Sequence, residues 1–254
     1  SNGFAFFSFT LQRRKPYRMA YILCIEAGTD IASVALARNG KLLSLRENLE
    51  GKQHARNLAV YAEEILRENH LDAEDLDAVA VGKGPGSYTG LRIAVSLAKG
   101  ICYGARKPLI AVNSLEALSY VALEDFEAGI LDLEEIADAK LLPMIDARRM
   151  EVYCQLFDAK ARPLTEVDAQ IITPDSFAEE RARDRLVVFG NGSNKCKEVF
   201  TEPNVHFAEV TPSARGLVKP AFEALKINKF EDTAYFEPFY LKNFIVNSSS
   251  KKFF

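Results

Sequence analysis

Residues 82–90 read Gly-Lys-Gly-Pro-Gly-Ser-Tyr-Thr-Gly, and a largely apolar stretch follows them. Glycines let the backbone turn tightly, and the first amides of a helix lack intrahelical partners, so such a run can receive an anion. Gly84, Gly86 and Ser87 are therefore candidates for gripping a phosphate. The spacing is not that of a P-loop, and no carboxylate for Mg²⁺ lies beside it. The plain alternative is a tight strand-to-helix turn in which Pro85 fixes the bend and Ser87 or Thr89 caps the helix. A second candidate is the turn Glu26-Ala27-Gly28-Thr29-Asp30, where Gly28 and Thr29 could touch the same phosphate. Its alternative is an ordinary strand-to-strand turn.

Other chemistry is not signalled. His54, His70 and His206 are scattered, and His54 is followed one helical turn later by Leu58 rather than by a second ligand. Cys24, Cys102, Cys154 and Cys196 form neither a C-x-x-C pair nor a disulfide framework. No metal site and no catalytic residue are expected, and the free thiols suit a reducing, cytoplasmic setting. With 32 basic and 35 acidic side chains, the net charge of −3 carries no footprint of strong nucleic-acid binding.

The elements that would hold these loops follow a clear order. Residues 21–25, 31–37 and 41–49 read as strands, with Asn39-Gly40 marking a hairpin. A helix is expected over 53–69, from apolar residues at 55, 58, 59, 62, 65 and 66. A strand at 76–81, a helix at 88–104, a strand at 109–112 and a helix capped by Ser114 come next. Residues 124–139 are acidic and helix-friendly and read as a link between two lobes. The second half shows a hairpin over 141–146 and 150–157, a strand closed by Ile171, a helix from Pro174 to 183, and a strand at 186–189. A helix at 213–225 follows, with Gly216 as its weak point. This is an α/β pattern with mixed sheets. No apolar run is long enough to cross a bilayer.

The helix at 88–104 is apolar nearly all round. Gly90, Ala94 and Ala98 make a row of small residues on it. Such a row either fits the protein's own core or lets a partner helix approach closely. The second option assigns a partner face to Leu58, Ala62, Gly90, Ala94, Ala98 and Ile101.

The run 81–100 closely resembles the signature of the TsaB (YeaZ) family of tRNA threonylcarbamoyladenosine biosynthesis proteins. Residues 113–118 (Asn-Ser-Leu-Glu-Ala-Leu), the Asp146-Ala147-Arg148-Arg149 turn with the strand after it, and Tyr240-Leu241-Lys242 carry the likeness over residues 19–242. The resemblance implies two actin-like ATPase (ribonuclease H-like) lobes, each a mixed sheet flanked by helices. It divides the chain into an extension at 1–18, a lobe at 19–123, a lobe at 124–246 and a frayed tail at 247–254. The absence of an initial Met, with Met19 ahead of the first strand, agrees with that start. It implies a non-catalytic scaffold, a glycoprotease homologue by older naming, that dimerises with a TsaD-type catalytic subunit. A TsaE-type ATPase, self-association and tRNA contact within the complex belong to the same expectation. The other reading is an active ATP-dependent phosphotransferase or glycoprotease-like enzyme of the same fold. Active members carry an Asp after the first strand, and TsaB sequences usually keep an Asp-Thr-Ser-like run there. Glu26 and Ala27 depart from both, so no cofactor of its own is expected beyond weak ATP or ADP binding.

Overall fold

The computed structural model describes residues 19–48, 54–131 and 136–241. The expected extension at 1–18, the tail at 247–254, and the assignments to Leu49, Gln53 and Lys242 lie outside the described residues. Runs that are apolar almost throughout in the central strands build a first sheet from β1 (Tyr21–Glu26), β2 (Ala32–Arg38), β3 (Lys41–Asn48), β4 (Ala78–Gly82) and β5 (Leu109–Val112), in the order β3-β2-β1-β4-β5. The first three strands are antiparallel neighbours, whereas β1, β4 and β5 run parallel. The Asn39-Gly40 hairpin forms, with φ of 52° and 73°, the left-handed region these two residue types enter most readily.

A second sheet holds β6 (Lys140–Asp146), β7 (Glu151–Cys154), β8 (Asp168–Ile171), β9 (Leu186–Phe189) and β10 (Val205–Ala208). Read from β8, its order is β8-β7-β6-β9-β10, with β6, β7 and β8 antiparallel and β6, β9 and β10 parallel. The two lobes thus share one topology, the α/β arrangement of actin-like ATPases. The sequence shows no repeat that announces it.

Helices fill the layers. α1 (Leu58–Glu68) and α2 (Tyr88–Ala105) cover one face of the first sheet, packing on Leu23, Ile25, Val34 and Val81. The opposite face, with Ile22, Cys24, Ala35 and Ala80, is covered from the far end of the chain. A 3-10 turn at Ala214–Leu217 and α5 (Val218–Lys226) lie there. Conversely α3 (Ser114–Glu127) leaves the first sheet and buries Leu115, Leu118 and Val121 against Leu141, Ile145 and Phe189 of the second. The lobes therefore exchange helices, and α3 runs through the expected boundary at residue 123. The helix expected over 213–225 is that 3-10 turn followed by α5, and Gly216 lies in the turn, ahead of the regular helix. A Cβ there would lie 2.1 Å from the Ala117 carbonyl, so its bare backbone permits the crossing of α3. Arg215 locks the crossing with ion pairs to Glu124 (3.0 Å) and Asp125 (2.6 Å).

Other expectations shift locally. Asn113, not Ser114, caps α3: its side chain accepts from the Leu115 amide at 2.9 Å. The helix expected from Pro174 is a turn followed by α4 (Ala178–Arg183). The strand-like run around His206 is β10, whose residues are all half-buried.

Candidate functional site: the interlobe cleft

The floor of the first lobe is built around Glu26. β1 ends with this side chain 3% exposed. One carboxylate oxygen accepts from the Gly28 amide at 2.7 Å, and the other accepts from the Ser114 hydroxyl at 3.0 Å. The carboxylate lies where Gly82 has no side chain, since a Cβ there would sit 2.1 Å from Oε2. Burial pushes its pKa above the usual glutamate range, against the lowering effect of these hydrogen bonds. Ser114 is drawn to Glu26 as the first residue of α3, and its Oγ also accepts from the Gly84 amide at 3.2 Å.

The glycine run locks onto the same turn. The Ser87 amide donates to the Gly28 carbonyl at 2.7 Å, and Ser114 donates its amide to the Gly84 carbonyl at 2.9 Å. Ser87 caps α2 by accepting from the Gly90 amide at 3.3 Å. A Cβ on Gly90 would come within 2.0 Å of the Ala27 carbonyl, and Gly84 has a φ of 101°. Gly28, Thr29, Gly84, Gly86 and Ser87 are thus brought together. The amides of Gly28, Gly84 and Ser87, however, are hydrogen-bonded inside the protein rather than turned to a ligand.

The expected partner row is corrected by the same packing. Leu58, Ala62, Ala94 and Ala98 are at most 2% exposed and belong to the core on the first sheet, and Gly90 is buried against Ala27. Ile101 is half-buried. A helix apolar on most sides conceals which stripe faces the sheet. The outer stripe is Ser96, Gly100 and Gly104, offset by two residues, with Ile93 and Leu97 half-buried beside it. A Cβ on Gly100 or Gly104 would meet nothing within 4 Å. Val60 of α1 and Tyr103 of α2 are 49% and 87% exposed.

Between the lobes lies a cleft of about 680 Å³. Its first-lobe lip is Gly28, Thr29, Asp30, Ser87 and Tyr88; its second-lobe lip is the β6–β7 turn with Tyr153 and Asn191. The segment 239–241 closes one end, where the Phe239 amide donates to the Lys83 carbonyl at 2.7 Å and the Tyr240 ring lies 4.9 Å from that of Tyr88. The turn is braced from several sides. Asn191 Oδ1 accepts from the Asp146 amide (2.9 Å), and Asp146 Oδ1 accepts from the Arg148 amide and Lys195 Nζ, both at 2.6 Å. Burial raises the Asp146 pKa, but the Lys195 and Arg148 contacts outweigh it and hold the carboxyl below its usual range. Burial pushes the Tyr153 hydroxyl up, with Arg148 opposing. The bracing residues Asn191 and Lys195 and the closing role of Phe239 have no sequence signal, since each depends on contact across the fold. Among the described residues no group of three His, Cys, Asp or Glu side chains could hold a metal.

The comparisons with known proteins agree with this geometry. The family described as TsaD, tRNA N6-adenosine threonylcarbamoyltransferase, matches residues 48–234. The tRNA threonylcarbamoyladenosine biosynthesis protein TsaB of Bacillus subtilis is 30% identical over 71% of this chain and 75% of its own length. The chain belongs to the TsaB branch of the TsaD family. TsaB of Haemophilus influenzae is 29% identical over 87% of this chain and 93% of its own. A Pseudomonas aeruginosa structure, described as an uncharacterized protein with similarity to peptidase YEAZ, superposes with a TM-score of 0.73. It is 25% identical and covers 88% of this chain and all of its own.

Proposed function

We propose that this TsaB-family chain is a non-catalytic scaffold in tRNA threonylcarbamoyladenosine biosynthesis. It acts by pairing with a TsaD-type catalytic subunit in a reducing cytoplasm. The observation that carries the non-catalytic part is the closed first-lobe floor. Glu26 fills the space beside Gly82, and the Gly28, Gly84 and Ser87 amides donate within the protein. A phosphate arriving there would have to displace a buried carboxylate, so ATP binding at this floor is weak at most. A TsaE-type ATPase, self-association and tRNA engage through the assembly rather than through a catalytic site of this chain.

The pairing surface in this reading is the outer face of α1 and α2, around Val60, Ile93, Ser96, Leu97 and Gly100. Glycine in a helix interior costs about 1 kcal/mol relative to alanine. Gly100 meets no neighbour that would explain it within the chain, whereas close approach of another helix would. Co-purification with a TsaD-type protein, followed by modification of tRNA by the pair, tests this. Wild type should pair and support modification, and should turn over neither ATP nor tRNA alone. Gly100→Arg should lose pairing and support while keeping its circular dichroism and gaining thermal stability. Normal pairing by that variant would move the interface elsewhere, and ATP turnover of order one per second by the lone chain would overturn the scaffold.

A further inference from the structure

We propose that residues 231–241 form a strap that opens and closes one end of the interlobe cleft as a single unit, with Lys99 of α2 as its catch. The inference stands apart from the scaffold reading, because it needs neither a partner nor an occupant of the cleft.

The sequence of the segment shapes the catch. Asp232 turns the chain and Pro238 brings no amide donor. Asp232 Oδ1 accepts from the Ala234 amide at 2.9 Å and from the Tyr235 amide at 3.3 Å, and its carbonyl accepts from the Phe236 amide at 2.8 Å. That turn brings the Ala234 and Phe236 carbonyls to one point, where Lys99 Nζ donates to both at 3.0 Å. Hydrogen bonds from an ammonium are about twice as strong as neutral ones. The strap begins where the Glu231 amide donates to the Leu109 carbonyl of β5 at 2.9 Å. It ends at the Phe239–Lys83 hydrogen bond and the Tyr240–Tyr88 ring contact. This far end is closely fitted, since a Cβ on Gly84 would lie 3.0 Å from the Phe239 carbonyl.

Two features make the segment one releasable unit. The first is how little apolar area holds it. Phe236 is half-buried against the core beneath α2, whereas Tyr235 and Phe239 are 85% and 40% exposed. Segments with few buried contacts open at free energies well below that of global unfolding. The second is the line of its contacts. Tyr88 and Lys99 are eleven residues apart, three helical turns, so they share one flank of α2. The strap runs antiparallel to the helix along that flank, from Ala234 at Lys99 to Tyr240 at Tyr88. Residues 236–240 belong to no helix or strand, so no ladder of their own holds them once the catch is lost. Phe239, Tyr240 and Leu241 line the cleft. Release at Lys99 therefore opens the cleft about 16 Å further along α2.

The test is native-state amide hydrogen exchange on the full chain, read by NMR at one pH and temperature. In wild type the Glu231, Phe236 and Phe239 amides should share one protection factor, roughly a hundredfold below those of β4. Lys99→Met removes the donors and keeps a long side chain that suits a helix. It should lower protection of all three amides tenfold or more, Phe239 as much as Phe236, and leave β4 unchanged. Lys99→Arg should recover part of the loss, and Lys219→Met, at an exposed position of α5, should change nothing. Tyr240→Ala loosens the other end and should lower protection at Glu231 and Phe236 as far as at Phe239. The sequence has no Trp, so Tyr240→Trp reports on the cleft end alone, and its emission should move to longer wavelength when Lys99→Met is added. The proposal is overturned if the strap amides are as protected as β4, if Lys99→Met affects Phe236 alone, or if the Trp emission does not move. Should Lys99→Met also strip protection from β4, the Tyr240→Ala chain decides: equal loss at the three amides upholds the strap, and loss confined to Phe239 overturns it.

Discussion

The two lobes share a strand order but differ between their fourth and fifth strands. In the first lobe β4 leads through the glycine run into the 18 residues of α2. In the second, β9 leads through Gly190-Asn191-Gly192 into a 3-10 turn of four residues, Ser193–Cys196. The long helix brings a packed floor with it: Gly90 lies on Ala27, Ser87 on Gly28, and the Gly28, Gly84 and Ser87 amides are hydrogen-bonded within the protein. The short turn leaves its side of the cleft open and covers the sheet with single side chains, Cys196 and Phe200. One topology has thus been used twice, packed under a long helix on one side and under a short turn on the other.

Three substitutions would break or sharpen that contrast. Phe200 is 2% exposed, and its ring lies 6.3 Å from that of Phe177 and 4.5 Å from the Arg181 guanidinium. Phe200→Ala should cost about 4 kcal/mol by urea denaturation, the range for a buried aromatic. Because the lobes exchange helices, the loss should appear in one transition seen alike by fluorescence and circular dichroism. Two separated transitions would show that the second lobe melts by itself and that the exchange couples nothing. Next in size, Gly90→Ala should cost about 2 kcal/mol through overpacking against the Ala27 carbonyl, although alanine is the better helix former. A neutral or stabilising result would mean that the first-lobe floor is looser than its contacts imply.

The smallest effect concerns Glu26 and pH. Its raised pKa means that the folded state holds this proton more tightly than the unfolded chain does. The stabilisation is complete below the ordinary value of 4.5 and is lost as the pH climbs through the raised one. Wild type should therefore lose stability as the pH rises above 4.5. The slope for one extra proton held by the folded state is at most about 1.4 kcal/mol per pH unit. Glu26→Gln, which cannot titrate, should flatten that fall when urea midpoints are compared across the same pH range. Parallel slopes for variant and wild type would remove Glu26 as the titrating group.

Much of this was legible in the sequence, for local reasons. The Asn39-Gly40 turn, the glycine run and the apolar helix after it are written in residues that are neighbours in the chain. What could not be read depends on which distant atom stands opposite. Gly90 and Gly100 look alike in sequence, but one meets a carbonyl at 2.0 Å and the other meets nothing. The row at 90, 94 and 98 is a sound small-residue pattern, but it faces the protein's own sheet. Gly216 resembles a helix defect because Ala117 lies 99 positions earlier in the chain. The second lobe's duplicated topology is hidden by β8 and β10, four-residue strands without a fully buried residue. Of the site, the D-A-R-R turn and the glycines were visible, but their opposite fates were not.

The crossing of α3 with the 3-10 turn and α5 has a consequence for how the chain is made. The first sheet is synthesised first, yet its inner face of Ile22, Cys24, Ala35 and Ala80 stays uncovered until Val218 and Ala221 have been made. Domains usually close in order as they emerge from the ribosome. Here the first lobe must wait for α5, and α3 must wait for the second sheet, so neither half can close before residues of the other have been made.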